Sequence, residues 1–333
     1  MLSTEYEKKK ELFLRYYEAL QQQLKWKVDK RTLMLMASQL TTADRQLDVH
    51  QLVELAEEIK RRSGFFSNLR SSLRYTIALS LLTNHDEDPL KMFDKLIASY
   101  QDLLEAGFSR SIFTYFAAAS VLSNWTNGTD VKKQARRAKT IYDEMRRKHF
   151  FVTSYDDYPL AVMLAQSDRD VDAIMDEIAY YYKKLSSHVF RKGNNLQLLS
   201  HILTCGGINN RELLVNRTMQ WHDALRSQDI KIRGLHYAAL GILALIESPD
   251  HLISDVTAMY DALNASKQFK WYKEMNLVVA IPLIVQEKLH DPAIAATGLT
   301  TAIEVILQAQ RTAMIVATGS AVAAANTSSS SSS

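Results

Sequence analysis

Four groups of residues in this chain have side chains and spacing suited to chemistry. His85-Asp86-Glu87-Asp88 is the densest. Its oxygens with one imidazole could hold a hard divalent cation. The same run also suits a helix start, where Asp88 would cap and the other acids favour the positive end of the dipole. His201 and Cys205 stand four apart, so on a helix they share a face and could begin a zinc site. Such a site wants four ligands, and the chain has one cysteine. A buried cysteine acting as a small hydrophobe is the simpler reading. No metal or other cofactor is therefore expected.

The third group is a ladder. Tyr75, Tyr115, Tyr158 and Tyr237 recur at equivalent places, each beside a polar residue: Arg74, Thr114, Asp157 and His236. Arg70, Arg110 and Arg233 lie just upstream. Such a rim could offer aromatic rings and forked donors to a carboxylate or phosphate. Packed core rings with hydroxyls reaching the edge are the plainer alternative. The fourth group is basic: Lys132, Lys133, Arg136, Arg137, Lys139, Arg146, Arg147 and Lys148, with Lys60, Arg61 and Arg62. A basic stripe can bind phosphate backbones, but no aromatics interleave with this one, so it reads as a solvated face. No phosphate loop, nucleophile elbow or zinc-protease motif is present, and no catalytic set can be assembled.

The elements that must position these residues are helices on a regular period. Asp48, Asp88, Asp130, Asp170, Asn210, Asp250 and Asp291 precede amphipathic stretches at steps of 40 to 42 residues. Asp and Asn suit that place because their oxygens accept the free N–H groups of a first turn. A small residue recurs in the preceding apolar helix, at Ala37, Ala78, Ala118, Ala161, Ser200, Ala239 and Ala280. Phe66, Phe108, Phe150, Phe190, Ile230 and Phe269 mark the ends of the amphipathic helices. A period of about 40 residues is that of stacked helical hairpins of HEAT or armadillo size. The predicted fold is an all-α solenoid of about seven hairpins. Residues 5–24 form an N-terminal capping helix in this reading. Residues 1–326 make one helical-repeat domain, and the Ser-rich 327–333 a disordered tail. The apolar helices, such as LMLMASQL and YAALGILALI, must be buried on most sides.

Composition narrows the function classes. With 40 basic and 37 acidic residues the net charge is +3, too balanced to imply nucleic acid or membrane as partner. One cysteine excludes an internal disulfide framework. The N-terminal stretch is charged and amphipathic, unlike a signal peptide, and no apolar run is long enough to span a bilayer. A cytoplasmic protein is the expectation.

Three segments carry a family likeness: WKVDKRTL from Trp26, GFFSNLRSSLRYTIA from Gly64 and EAGFSRSIFTY from Glu105. Together they make the chain resemble a bacterial family of uncharacterised proteins of about this length, catalogued as a domain of unknown function. The resemblance implies a bacterial cytoplasmic protein and brings no activity or catalytic residue. The functional expectation is a non-enzymatic scaffold that holds a protein or peptide on its concave face or rim. The residues expected to bind are Arg70, Arg74, Tyr75, Arg110, Tyr115, Asp157, Tyr158, Arg233, His236 and Tyr237. The alternative is an enzyme or small-molecule binder in which the hairpins close into an α/α toroid.

Overall fold

The computed structural model describes residues 2–43, 47–64, 67–84, 87–123, 130–148, 153–207, 210–246 and 248–289. His85-Asp86, Phe66, Phe150, Asp291, the expected helix after Ala293 and the Ser-rich tail lie outside them. Described residues form helices, short 3-10 turns and linkers, with no strand among them. Seven helices have an amphipathic pattern: α1 (Thr4–Leu24), α3 (Val49–Arg62), α5 (Pro89–Glu105), α7 (Val131–Lys148), α9 (Val171–Ser186), α11 (Arg211–Ser227) and α13 (Ile253–Ala265). They alternate with α2 (Lys30–Thr41), α4 (Leu73–Asn84), α6 (Ile112–Ser123), α8 (Tyr158–Ala165), α10 (Asn194–Cys205), α12 (Tyr237–Ile246) and α14 (Lys273–Leu289). The chain is all-α.

Local chemistry starts most amphipathic helices where the spacing predicts. The Asp88 carboxylate accepts the N–H groups of Leu90 and Lys91 at 2.9 and 3.0 Å, and Pro89 opens the helix where no donor is missed. Asp48, Asp130, Asp170 and Asn210 cap in the same way. Asp250 does not. It sits in a 3-10 turn, and α13 starts behind Leu252 without a side-chain cap. Gly107, at φ +100°, ends α5, and Asp229, at φ +57°, makes the same left-handed turn after α11.

The apolar helices are buried on nearly every side. In α8 and α12 every residue is buried, and the recurring small residues from Ala37 to Ala280 are fully so. Close approach explains the small residues. A Cβ on Gly241 of α12 would meet Leu199 Cδ1 at 2.8 Å and Ile202 Cγ2 at 3.0 Å, both on α10.

Each amphipathic helix packs against the apolar helix that follows it, so α1 is the partner of α2. The apolar helices pack in succession from α2 to α14, and the amphipathic helices from α1 to α13. Both successions return to their start: α14 packs on α2 and α1, and α13 packs on α1. Phe269, between α13 and α14, sits 5.4 Å from the Phe13 ring and edge-on to Tyr17 at 4.7 Å. These contacts correct the capping role expected of residues 5–24. A cap has one occupied flank, whereas α1 is occupied on both. They trace a ring, and a HEAT- or armadillo-type solenoid is not established by them.

Candidate functional site

One end of this bundle gathers the linkers that run from each amphipathic helix into the next apolar helix. All ten residues singled out by the sequence lie at this end, but the structure uses them in different ways. The tyrosines staple neighbouring linkers. The Tyr158 hydroxyl accepts the Ser109 N–H at 3.2 Å while Phe108 packs edge-on to its ring at 4.6 Å. Tyr237 repeats this with the Arg191 N–H at 3.1 Å and Phe190 at 4.8 Å. Tyr115 stacks on Tyr100 with centroids 4.1 Å apart, its hydroxyl 3.2 Å from Ser67 Oγ. All four tyrosines of the ladder are buried.

Arg74 is also engaged within the fold. Its guanidinium donates to Glu57 at 3.0 Å, to the Tyr75 hydroxyl at 2.8 Å, and to the carbonyls of Arg70 and Ser71. Burial pushes the Glu57 carboxyl up, and the hydrogen bonds from Arg74 and Tyr75 outweigh it, leaving the group below its ordinary range. Arg70 and Arg110 are exposed. Asp157 is buried, accepts the Ser154 N–H at 3.0 Å, and lies 3.5 Å from Nδ1 of the fully buried His201. Burial and the neighbouring Asp156 raise its carboxyl well above the usual range. Cys205, on the same helix as His201, is partly buried, and desolvation pushes its thiol up to about 12. Among the described residues no three His, Cys, Asp or Glu side chains converge as metal ligands would.

Arg233, His236 and Tyr237 are the three that the structure brings together around open space. A cavity of about 580 Å³ lies between the linker after α9 and the linker after α11. Val189, Ile232 and Tyr237 give it an apolar wall, and Arg191, Arg226, Lys231 and Arg233 supply cations. No acidic residue lines it. Arg191, Arg226 and Lys231 make no ion pair among the described residues. A second cavity, about 660 Å³, shares Lys231 and Arg233 with the first and continues along Tyr260, Lys270, Trp271 and Lys273 to Arg31 of α2. Here Arg233 pairs with Glu274. His236 ties the wall together: its Nδ1 accepts the Arg233 N–H at 3.0 Å, and its Nε2 donates to the Glu274 carbonyl at 3.1 Å. Burial pushes its imidazole down to about 4, so it is neutral at ordinary pH.

The result is a groove rich in cations, with Arg191, Arg226 and Lys231 unpaired among the described residues and Arg233 paired, between aromatic and aliphatic walls. It can clasp carboxylates or phosphates. The first cavity offers no carboxylate or thiol for acid–base or nucleophilic work. Sequence reasoning missed Arg191, Arg226, Lys231, Lys270 and Lys273. A signal was present: Arg191, Lys231 and Lys270 each follow the buried apolar residue that ends an amphipathic helix, namely Phe190, Ile230 and Phe269.

The family model described as a protein of unknown function (DUF4003) matches residues 16–312. The chain belongs to the DUF4003 family. It is 32% identical over 328 residues to the uncharacterized protein YeaA of Bacillus subtilis (strain 168), covering 98% of this chain and 99% of that relative. No solved structure matches. The bacterial family suggested by the segments at Trp26, Gly64 and Glu105 is thereby shown. No described helix is long and apolar enough to cross a membrane.

Proposed function

We propose that this chain is a non-enzymatic binding protein that takes an acidic segment of a partner protein into the basic groove of its linker rim. The observation that carries the reading is the wall of the first cavity. Arg191, Arg226 and Lys231 line it with no acidic residue in the same lining, and none of the three makes an ion pair among the described residues. Other cations on the surface do have acidic partners: Lys95 pairs with Glu87, Lys132 with Glu105, Lys139 with Asp143 and Lys184 with Glu212. Unpaired charge has a self-repulsion cost that a ligand would relieve. A Glu-rich peptide, titrated against the full chain, should bind with an affinity that falls as salt rises. Arg191→Ala with Arg226→Ala should abolish it and leave the helical content unchanged. Binding that survives the double change refutes the groove.

The second reading keeps the repeats but closes them. We infer that the seven amphipathic–apolar hairpins form an α/α ring rather than an open solenoid, supported by the packing of α13 and α14 on α1 and α2. A ring of this kind could hold a small-molecule site on its axis. The polar groups of the apolar helices argue against catalysis there: Asp157, His201 and Gln197 are buried among neighbours. A cytoplasmic location accords with the single thiol and the absence of a spanning helix among the described residues.

A further inference from the structure

The place where the ring closes, at the far end of the groove from Arg191, carries a second feature. Trp26, in the linker after α1, and Trp271, in the linker before α14, are 90% and 81% exposed. Large apolar side chains so bare are uncommon on a soluble surface. Because α1 and α2 pack on α13 and α14, the two linkers lie on one rim, and the second cavity there is lined by Trp271 from one linker and by Arg31, in the first turn of α2, beyond the other. Each indole follows a lysine that leans over its ring, Lys25 at 5.4 Å from the Trp26 centroid and Lys270 at 5.2 Å from that of Trp271.

The surrounding charge is one-sided. Lys25, Lys27, Lys30, Arg31, Lys267 and Lys273 are all exposed and make no ion pair among the described residues. Asp229 is exposed on the wall of the second cavity, while Asp29, Glu274 and Glu18 are already engaged. Asp29 caps α2 through the N–H groups of Arg31 and Thr32. Glu274 pairs with Arg233, and Glu18 receives Gln268 at 3.0 Å. The cations are therefore not spent on internal pairing. The helix dipole accounts for Lys25, Lys27 and Lys267, which follow the C-terminal ends of α1 and α13, but not for Lys30, Arg31 and Lys273, which lie at the positive ends of α2 and α14.

We propose that this seam is a docking surface for an anionic phospholipid bilayer. The two indoles enter the interfacial layer, where an amphipathic ring with one N–H is best accommodated. The lysines and Arg31 meet the negative headgroups. Charge complementarity and the projecting indoles favour a bilayer over single-stranded nucleic acid. They favour it over an acidic peptide as well, which would leave both indoles in water.

The test uses the full chain with vesicles of phosphatidylcholine alone or mixed with phosphatidylserine, followed by flotation and tryptophan emission. Binding is expected only to the serine-containing vesicles, with a blue shift, and it should weaken with salt. Lys25→Ala with Lys270→Ala should lower the partition constant about thirtyfold, from the usual contribution of a cation near an anionic surface. Trp26→Ala with Trp271→Ala should remove the blue shift and most of the binding. Both pairs are surface changes, so circular dichroism should be unaltered. Arg191→Ala with Arg226→Ala should leave vesicle binding intact while it abolishes peptide binding, which separates this proposal from the groove. The proposal is overturned if anionic vesicles fail to bind at low salt. It is equally overturned if the tryptophan pair can be removed without effect, or if RNA quenches both indoles while vesicles stay unbound.

Discussion

His236 should make this protein less stable in mild acid, by an amount the structure allows one to work out. The imidazole is 1% exposed and fully used, accepting from the Arg233 N–H and donating to the Glu274 carbonyl. Its folded pKa is depressed to about 4, against 6.5 when unfolded. Above pH 6.5 neither state holds the proton, and the histidine contributes no pH dependence. Below it the unfolded chain takes up a proton that the folded chain refuses until about pH 4, so stability falls across that window. Integrating the two titrations from pH 7 to pH 4.5 gives a loss of about 2 kcal/mol. Asp157 works in the opposite sense. Its raised pKa lets the folded state bind a proton first, so acidification relieves a cost of burial. The comparison must therefore be made within a pair: wild type and His236→Gln, whose amide can keep both hydrogen bonds. Urea unfolding at pH 7 and pH 4.5 should show the wild type losing about 2 kcal/mol more than the variant. Equal losses would refute the assignment of a buried neutral imidazole.

Arg74→Ala should destabilise the fold by about 2 kcal/mol, because Glu57 and the Tyr75 hydroxyl lose a charged partner. Peptide binding to the groove should be unaffected, and a loss of binding without loss of stability would restore Arg74 to the rim. Asp88→Ala and Asp170→Ala should each lower stability by about 1 kcal/mol through lost caps, read as a fall in denaturation midpoint. Gly241→Ala should cost about 1 kcal/mol net. Its better helix propensity is outweighed by overlap with Leu199 and Ile202. A stabilised variant would mean that α10 and α12 can separate freely.

The parts of the fold legible in the sequence were those fixed locally. Asp88 and Asp170 announce a helix start because the capping oxygen and the N–H groups it meets are two or three residues apart. The buried ladder of Tyr75, Tyr115, Tyr158 and Tyr237 was legible as a period. Its purpose was not, because each hydroxyl meets a partner far away in the chain, as Tyr158 meets Ser109. Arg74 looked free for the same reason, since nothing in its own helix shows that Glu57 waits across the gap. The basic groove was hidden by the balanced total of charges. A net charge of +3 gives no sign that caps such as Asp48, Asp88 and Asp170 collect at one end and Arg191, Lys231 and Lys270 at the other. Closure was hidden most deeply of all, because Phe13 and Phe269 meet only once everything between them is in place.

That meeting bears on how the chain comes into being. During synthesis α1 and α2 emerge first, yet one flank of each is covered only by α13 and α14. Until residue 289 has left the ribosome, the surface around Phe13 and Tyr17 waits for Phe269. An open array could settle hairpin by hairpin as it emerged, each new unit stabilised by the last. Here the last contact made joins the oldest segment to the youngest, so loop closure over most of the chain precedes the final native state. A nascent or truncated chain lacking α13 and α14 presents an uncovered apolar flank. Folding intermediates of this protein should therefore be the species that chaperones hold and that proteases find first.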